Sequence, residues 1–418
     1  CMIGTFLLLA AALKLPAALA TAGAATVGLA VSGNIGSIYH LIEGAFGYFD
    51  VILIIAMAMV FMAALEAAGI LEEISYRITR RLGNKPLLLS LASMLLVMLP
   101  GMLTGSSTAA AMTTGRFVLP VLVGAGIDPA RAGAFVALGS VIGMIAPPVN
   151  VPVMIIGSGI DMPYVGFDLP LLIIALPAAV AVSIWAAAGA KRGQPGERPA
   201  ALFVPASDAR RTPGFKVFIP ILALVVMMFA VRLSNGSIPD PGIPFMFAVG
   251  ALLAMVCGRR IKLWDTVESG IGMAMPVMGV LVGAGMFVQV MTLTGVRGLL
   301  VTSALDIPRA WIFIVAAIAL PIFGAISAYA SSSVMGVPIL LALLGNNEIV
   351  TAAALSMLAA TGDLLPPIAI VPSLISQSSG EGLGYRSALL RQAAVPILLL
   401  VVWAFAVLRW APAIGKLL

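Results

Sequence analysis

Between residues 87 and 150 an apolar chain is interrupted twice, and those interruptions limit where it can fold. The run 87–99 stops at Pro100-Gly101, and Gly105, Ser106, Ser107, Thr108, Thr113 and Thr114 follow. The chain resumes as RAGAFVALGSVIGM and breaks again at Pro147-Pro148-Val149-Asn150. Segments this greasy belong in a bilayer, where lipid offers no hydrogen bond to a free N–H or C=O. Broken backbone at that depth survives only inside protein or against a water-filled cavity. Paired broken segments point to the binding site of a secondary transporter.

A second such stretch runs from 324 to 372. The landmarks pair in order as Gly105/Gly324, Pro120/Pro338, Gly143/Gly362, Pro147-Pro148/Pro366-Pro367 and Pro152/Pro372, at offsets of 219, 218, 219, 219 and 220. Ahead of them Ala68-Gly69-Ile70 answers Thr294-Gly295-Val296, and Pro86 answers Pro308. With 28 Pro and 43 Gly, single coincidences are cheap, but five landmarks within one residue of a constant offset indicate an internal repeat.

Apolar residues make up 61% of the 418 and charged ones 10%, against roughly 25% charge in a soluble domain. This is the composition of an integral membrane protein. One histidine, His40, excludes a His-rich metal site, and Cys1 and Cys257 supply neither a disulfide framework nor zinc spacing. The net charge of +6 sits in loops between apolar runs, which is no nucleic-acid footprint. No nucleophile–base pair or phosphate loop is present, so neither an enzyme nor an ATP-binding protein is expected. Cys1 reads as a trimmed terminus, and the apolar start lacks the basic leader of a secretory signal, favouring a membrane helix.

Runs of spanning length or close to it fall at about 2–13, 15–33, 47–69, 169–190, 215–233, 243–258, 271–293 and 392–411. Each broken stretch reads as a helical hairpin (87–123 and 309–345) followed by an interrupted helix (129–158 and 348–376). Segment 36–46 reads as a short interfacial helix, and the amphipathic 71–84 as a surface helix or a connecting loop. The expected organisation is N-terminal scaffold helices in 1–70 and a first repeat in 71–190. A Pro-rich polar linker (191–214) leads to second scaffold helices (215–293), with the second repeat and last helix in 294–418.

With the 70–85 loop in the cytoplasm, 17 of 23 Lys and Arg fall inside, five outside, and Arg116 lies within the first hairpin. That bias satisfies the positive-inside rule and makes the first hairpin enter from the cytoplasm, the second from outside. The expected fold is therefore all-α: a polytopic membrane protein of two inverted repeats, each with a re-entrant hairpin and a discontinuous helix. Such symmetry is the basis of alternating access.

A dehydrated Na⁺ needs several oxygens, which hairpin tips and unwound helices supply as carbonyls and hydroxyls. Gly105, Ser106, Ser107 and Thr108 are expected to meet Gly143, Val149 and Asn150 at the first break. Ser331, Ser332 and Ser333 are expected to meet Thr361, Gly362 and Asp363 at the second. The half-helix N-termini beside Pro147-Pro148 and Pro366-Pro367 suit an anionic substrate. Any single hydroxyl can instead bond its own backbone. Asp363 stands out, because a carboxylate at membrane depth costs about 2.5–3.5 kcal/mol and needs a cation, a proton or water. Arg116 reads as a snorkelling side chain, and Glu66 as a helix end near the cytoplasm.

The stretch TGSSTAAAMTTGRFVLPVLVGAGIDPARAGAFVALGSVIGMIAPP resembles the large membrane subunit of tripartite ATP-independent periplasmic (TRAP) transporters, including their TAXI-type branch. Thr104-Gly105-Ser106, Gly115, Pro120, Gly143 and Pro147-Pro148 carry the resemblance, and Gly362 and Pro366-Pro367 carry it more loosely. It implies Na⁺-driven, elevator-type uptake of small organic anions across a bacterial or archaeal cytoplasmic (inner) membrane. A periplasmic binding protein would deliver the substrate, and a small membrane subunit would be a separate chain. Ala110, Val149 and Ala328-Tyr329-Ala330 depart from the family pattern, and Asp363 is additional to it. The alternatives are a stand-alone symporter, using H⁺ at Asp363 or Na⁺, and a passive channel.

Overall fold

Two glycines turn the chain at matching corners. Gly69 and Gly295 both adopt φ of 72°, a left-handed conformation that costs a residue without a Cβ little. Each ends a long apolar helix and opens a short one. Around these corners the computed structural model describes residues 1–13, 15–190, 214–233, 239–259, 261–305, 307–378 and 383–418. Apart from Gly214, the expected linker 191–214 lies outside the described residues.

The first half runs α1 (Met2–Leu7, extended by a π turn Leu8–Ala12), α2 (Ala17–Val31), α3 (Tyr39–Ala45), α4 (Phe49–Ala67) and α5 (Ile70–Leu82). The first hairpin is α6 (Pro86–Thr104), α7 (Ser107–Thr113) and α8 (Gly115–Gly124); the broken helix is α9 (Pro129–Ile145) and α10 (Val151–Ser158). After α11 (Asp168–Ala188) come α12 (Ile219–Leu233), α13 (Ile243–Cys257), α14 (Leu263–Leu293) and α15 (Val296–Leu305). The second hairpin is α16 (Arg309–Gly324), α17 (Ala328–Ser331), a π segment Ser332–Gly336 and α18 (Val337–Ala342). The second broken helix is α19 (Glu348–Thr361), a 3₁₀ turn Gly362–Leu364 and α20 (Ile370–Ser378), before α21 (Leu383–Arg409) and α22 (Ala411–Leu417). The all-α, inverted-repeat reading holds. Five helices among the described residues are long and apolar enough to cross a membrane: Phe49–Ala67, Pro86–Thr104, Asp168–Ala188, Leu263–Leu293 and Arg386–Arg409.

The hairpins turn by the same local chemistry. Pro86 opens α6 at its first position, where a missing N–H costs nothing. Gly105 closes it with φ 62°. Ser106 then caps α7, accepting from the Ala109 amide at 3.3 Å, and Ser327 caps α17, accepting from Ala330 at 3.3 Å. The caps and the prolines ahead of them (Pro100 and Pro321) share an offset of 221. The pairing Gly105/Gly324 is thus two residues out at the tips. The glycine that performs Gly324's task is Gly101. Gly324 lies against Gly362 and Gly101 against Gly143, backbone to backbone; a Cβ on Gly143 would sit 2.6 Å from the Met98 carbonyl.

Residues 146–150 interrupt the first broken helix and 365–369 the second, and Pro147-Pro148 and Pro366-Pro367 are both cis. From 132 to 145 and from 350 to 361 every residue is buried, so α9 and α19 form the centre. The helices sort into two groups. α9 packs on α6, α7, α8, α11, α19 and α21, while α14 packs on α2, α3 and α4, and α13 on α4 and α12. The expected surface segment 71–84 is the helix α5, its buried Ile70, Leu71 and Ile74 on one side and a Glu73–Arg77 pair at 2.8 Å on the other.

Candidate functional site

Both hairpin tips converge on the second break. The 3₁₀ turn after α19 holds Asp363 in the interior, 7% exposed. Its Oδ2 accepts a hydrogen bond from Ser107 Oγ at 2.6 Å, and its Oδ1 accepts one from the Ala328 amide at 3.4 Å. Ser107 and Ala328 each follow a cap serine, so one carboxylate joins equivalent positions of the two repeats. Alongside, the Tyr329 hydroxyl donates to the Gly105 carbonyl at 2.8 Å, and Ser106 Oγ lies 2.9 Å from Thr108 Oγ1.

Asp363 is a lone carboxyl group whose two hydrogen-bond partners are neutral dipoles. Among the described residues no lysine, arginine or histidine pairs with Asp363. A hydrogen bond to an ionised group contributes about 1.5–3 kcal/mol, comparable to the burial cost. These bonds offset part of the cost of burying the carboxyl group.

The expected groupings are rearranged. The first tip does meet the first break, but through backbone: Val149 N–H donates to the Met102 carbonyl at 3.1 Å, and Gly143 approaches α6. The hydroxyl of that tip crosses to the other repeat instead. Asn150 is fully buried and committed to structure. Its Oδ1 accepts from the Val153 amide at 3.0 Å, and its Nδ2 donates to the Ile145 carbonyl at 2.9 Å and Ser356 Oγ at 3.0 Å. Its amide donates to the Tyr164 hydroxyl, which in turn donates to the Pro148 carbonyl, both at 3.1 Å.

The serine trio does not gather at Asp363. Ser331 Oγ donates to the Leu320 carbonyl at 2.8 Å, Ser332 Oγ to Ala328 at 2.9 Å and Thr361 Oγ1 to Leu358 at 2.7 Å. These hydroxyls bond their own hairpin or helix. Ser333 faces the Tyr48 hydroxyl at 3.5 Å. The Gly362 carbonyl is taken by the Leu365 amide at 2.8 Å. Pro147 and Pro148 border a pocket of about 230 Å³ with Met102 and Asp168, while Pro366 and Pro367 are exposed. The Pro367 and Ile368 carbonyls accept from Arg386 at 3.2 and 2.8 Å.

Ser327 and Tyr329 were missed by the sequence reading. The signal for Ser327 was available: it follows Pro321 at the spacing by which Ser106 follows Pro100. Three long-range polar contacts among the described residues were also missed. Arg116 of α8, expected to snorkel, pairs with Glu66 at the end of α4. Arg297 of α15 donates to the Gly159 carbonyl at the end of α10, and the Tyr48–Ser333 contact is the third.

A family model, Tripartite ATP-independent periplasmic transporter, DctM component, matches residues 2–414. The chain belongs to the DctM family. A DctM component is the large membrane component of a TRAP-type secondary transporter rather than an enzyme, and the family works with a periplasmic binding protein and a small membrane subunit. Comparison with curated proteins returns no match. Among solved structures, the Alcanivorax borkumensis YdaH transporter, described as having an unusual topology, is similar in fold. It shares 16% identity at a TM-score of 0.60 over 90% of this chain and 89% of that one.

Proposed function

We propose that this DctM component imports a small organic anion, of the carboxylate or sulfonate class, by coupling to Na⁺ across a bacterial or archaeal cytoplasmic membrane. A separate periplasmic binding protein delivers the anion, and a small membrane subunit completes the assembly. The group built on the hairpins, broken helices, α11 and α21 moves as an elevator against the group built on α2–α4 and α12–α14. The observation that carries the ion assignment is the Asp363 junction: one buried carboxylate among the Ser107, Thr108, Ser106 and Tyr329 hydroxyls and the Gly105 carbonyl. One negative charge with several neutral oxygens suits a hard monovalent cation. Ser106, Ser107 and Thr108 serve both ion and substrate in this reading, whereas Asn150, Ser331, Ser332, Thr361 and Gly362 hold the scaffold of the site.

The test is uptake of a radiolabelled organic-acid panel into proteoliposomes, with and without an inward Na⁺ gradient and added binding protein. Accumulation that needs both supports the reading. Accumulation under any gradient without a binding protein favours a stand-alone symporter. The unpaired charge of Asp363 supports H⁺ as its driving ion, so a proton gradient replacing Na⁺ would select that alternative. Equilibration without accumulation would leave a passive channel.

A further inference from the structure

An open apolar groove of about 330 Å³ runs between α11 and α21, on helices that contribute nothing to the Asp363 junction. Small residues create it: Ala178 and Ala181 on α11 and Ala406 on α21 leave the volume that larger side chains would fill. Trp403 lines the groove while its Nε1 donates to the Ile174 carbonyl at 3.1 Å, which ties the two helices together. Near the C-terminal end of α11 the groove is bounded by Trp185, and the Arg131 guanidinium lies over that indole, 5.0 Å from the ring centroid. Gly189 makes the approach possible, because a Cβ there would overlap the Arg131 side chain.

Arg131 is half-buried, and its guanidinium has no hydrogen-bond or carboxylate partner among the described residues. A second cation, the exposed Arg391, precedes the groove residue Val402 by about three helical turns and so falls on the same face of α21. The distribution of Lys and Arg sets both arginines on the cytoplasmic side. The groove therefore combines a dry channel at acyl-chain depth with a tryptophan and two cations at headgroup depth. Tryptophan favours that interface, and basic residues there attract anionic headgroups of the cytoplasmic leaflet.

We infer that this groove binds an anionic phospholipid of the inner leaflet, its phosphate at Arg131 and Arg391 and an acyl chain along α11 and α21. The charge of Arg131, which no carboxylate among the described residues neutralises, selects the headgroup, and the alanine-lined wall accepts the tail. A neutral zwitterionic lipid fits the wall equally well but carries no net charge for the arginines.

The experiment is native mass spectrometry of the purified full chain after equal exposure to phosphatidylglycerol and phosphatidylcholine vesicles. Melting temperature in each lipid is the second readout. The wild-type chain is expected to retain phosphatidylglycerol at least tenfold over phosphatidylcholine and to melt several degrees higher in it. Arg131→Gln and Trp185→Leu are expected to cut the preference below threefold, while Arg80→Gln, a cation outside the groove, keeps it. If Arg131→Gln retains the full preference, or the wild-type chain shows none, the inference is wrong. Efficient Leu399→Cys cross-linking between two copies, independent of lipid, would also overturn it by placing protein in the groove. None of these readouts requires transport, so they stand whatever the chain carries.

Discussion

Asp363 is a buried carboxyl group held by two donors, and its contribution is separable from that of its neighbours. Asp363→Asn preserves the shape and removes the charge. It is expected to lower Na⁺-driven uptake at least tenfold in proteoliposomes while leaving the melting temperature within a few degrees. Ser107→Ala removes the 2.6 Å donor; a bond of about 1.5–3 kcal/mol to a charged group predicts a ten- to hundredfold rise in the Na⁺ concentration for half-maximal uptake. Asn150→Ala should behave in the opposite way. It deletes a helix cap, typically about 1 kcal/mol, and leaves buried partners unpaired at about 1–3 kcal/mol. Its signature is a lowered melting temperature with an unchanged Na⁺ requirement in the protein that remains folded. At this scale the sequence was partly readable. Asp363 stood out because a carboxylate in an apolar segment has few explanations. Ser327 and Tyr329 did not, because aligning the repeats on Gly105 and Gly324 slid the second tip by two residues. Whether a serine faces a site or its own backbone depends on rotation about the helix, which spacing alone did not settle for Ser331 and Ser332.

The elements divide according to how their boundaries are encoded. Hairpin and broken-helix positions were legible because the Pro-Pro pairs and left-handed glycines such as Gly105 interrupt helices, but Pro100-Gly101, expected to stop the run 87–99, lies inside α6, which continues to Thr104. Helix lengths were less so: the apolar run 271–293 is the end of Leu263–Leu293, whose first turns carry Asp265 and Glu268 and so escape an apolar count. Where α16 crosses the break after α19, the contact is backbone on backbone at Gly324 and Gly362. Gly362→Ala would push a methyl into the Gly324 backbone, and overpacking of that kind costs about 1–3 kcal/mol or more. A clear fall in melting temperature in detergent is expected, whereas Gly298→Ala, with open space around its Cβ position, should show none. The Glu66–Arg116 pair links α4 to α8, with the two side chains 28% and 49% exposed. An ion pair that wet contributes about 0–1 kcal/mol, at most about a fivefold change in population. Glu66→Gln is accordingly expected to shift the balance between transport-unit positions two- to fivefold, read as cross-linking between cysteines placed on α4 and α8. The swap Glu66→Arg with Arg116→Glu should restore it; no shift in the single variant would remove the pair from the mechanism.

For the molecule as a whole, the two helix groups touch through few polar bridges among the described residues, while Asp363 fastens the two hairpins inside one of them. In the proposed elevator the hairpins and broken helices move together past α4 and α14 without opening the junction. The family match fixes the chain as a DctM component, and in the proposed mechanism the repeat supplies two equivalent positions for such a body. What sequence symmetry does not encode is the crossing: repeat one supplies Ser107 and repeat two supplies Asp363, a contact made only by folding the halves against each other. In the proposed function a coupling Na⁺ binds at this crossing. Equilibrium binding of radiolabelled sodium to the purified chain tests it without substrate or partners. Saturable binding that weakens at least tenfold in Asp363→Asn and in Ser107→Ala, with both variants folded, is the predicted result. Binding in Asp363→Asn indistinguishable from wild type would place the ion elsewhere.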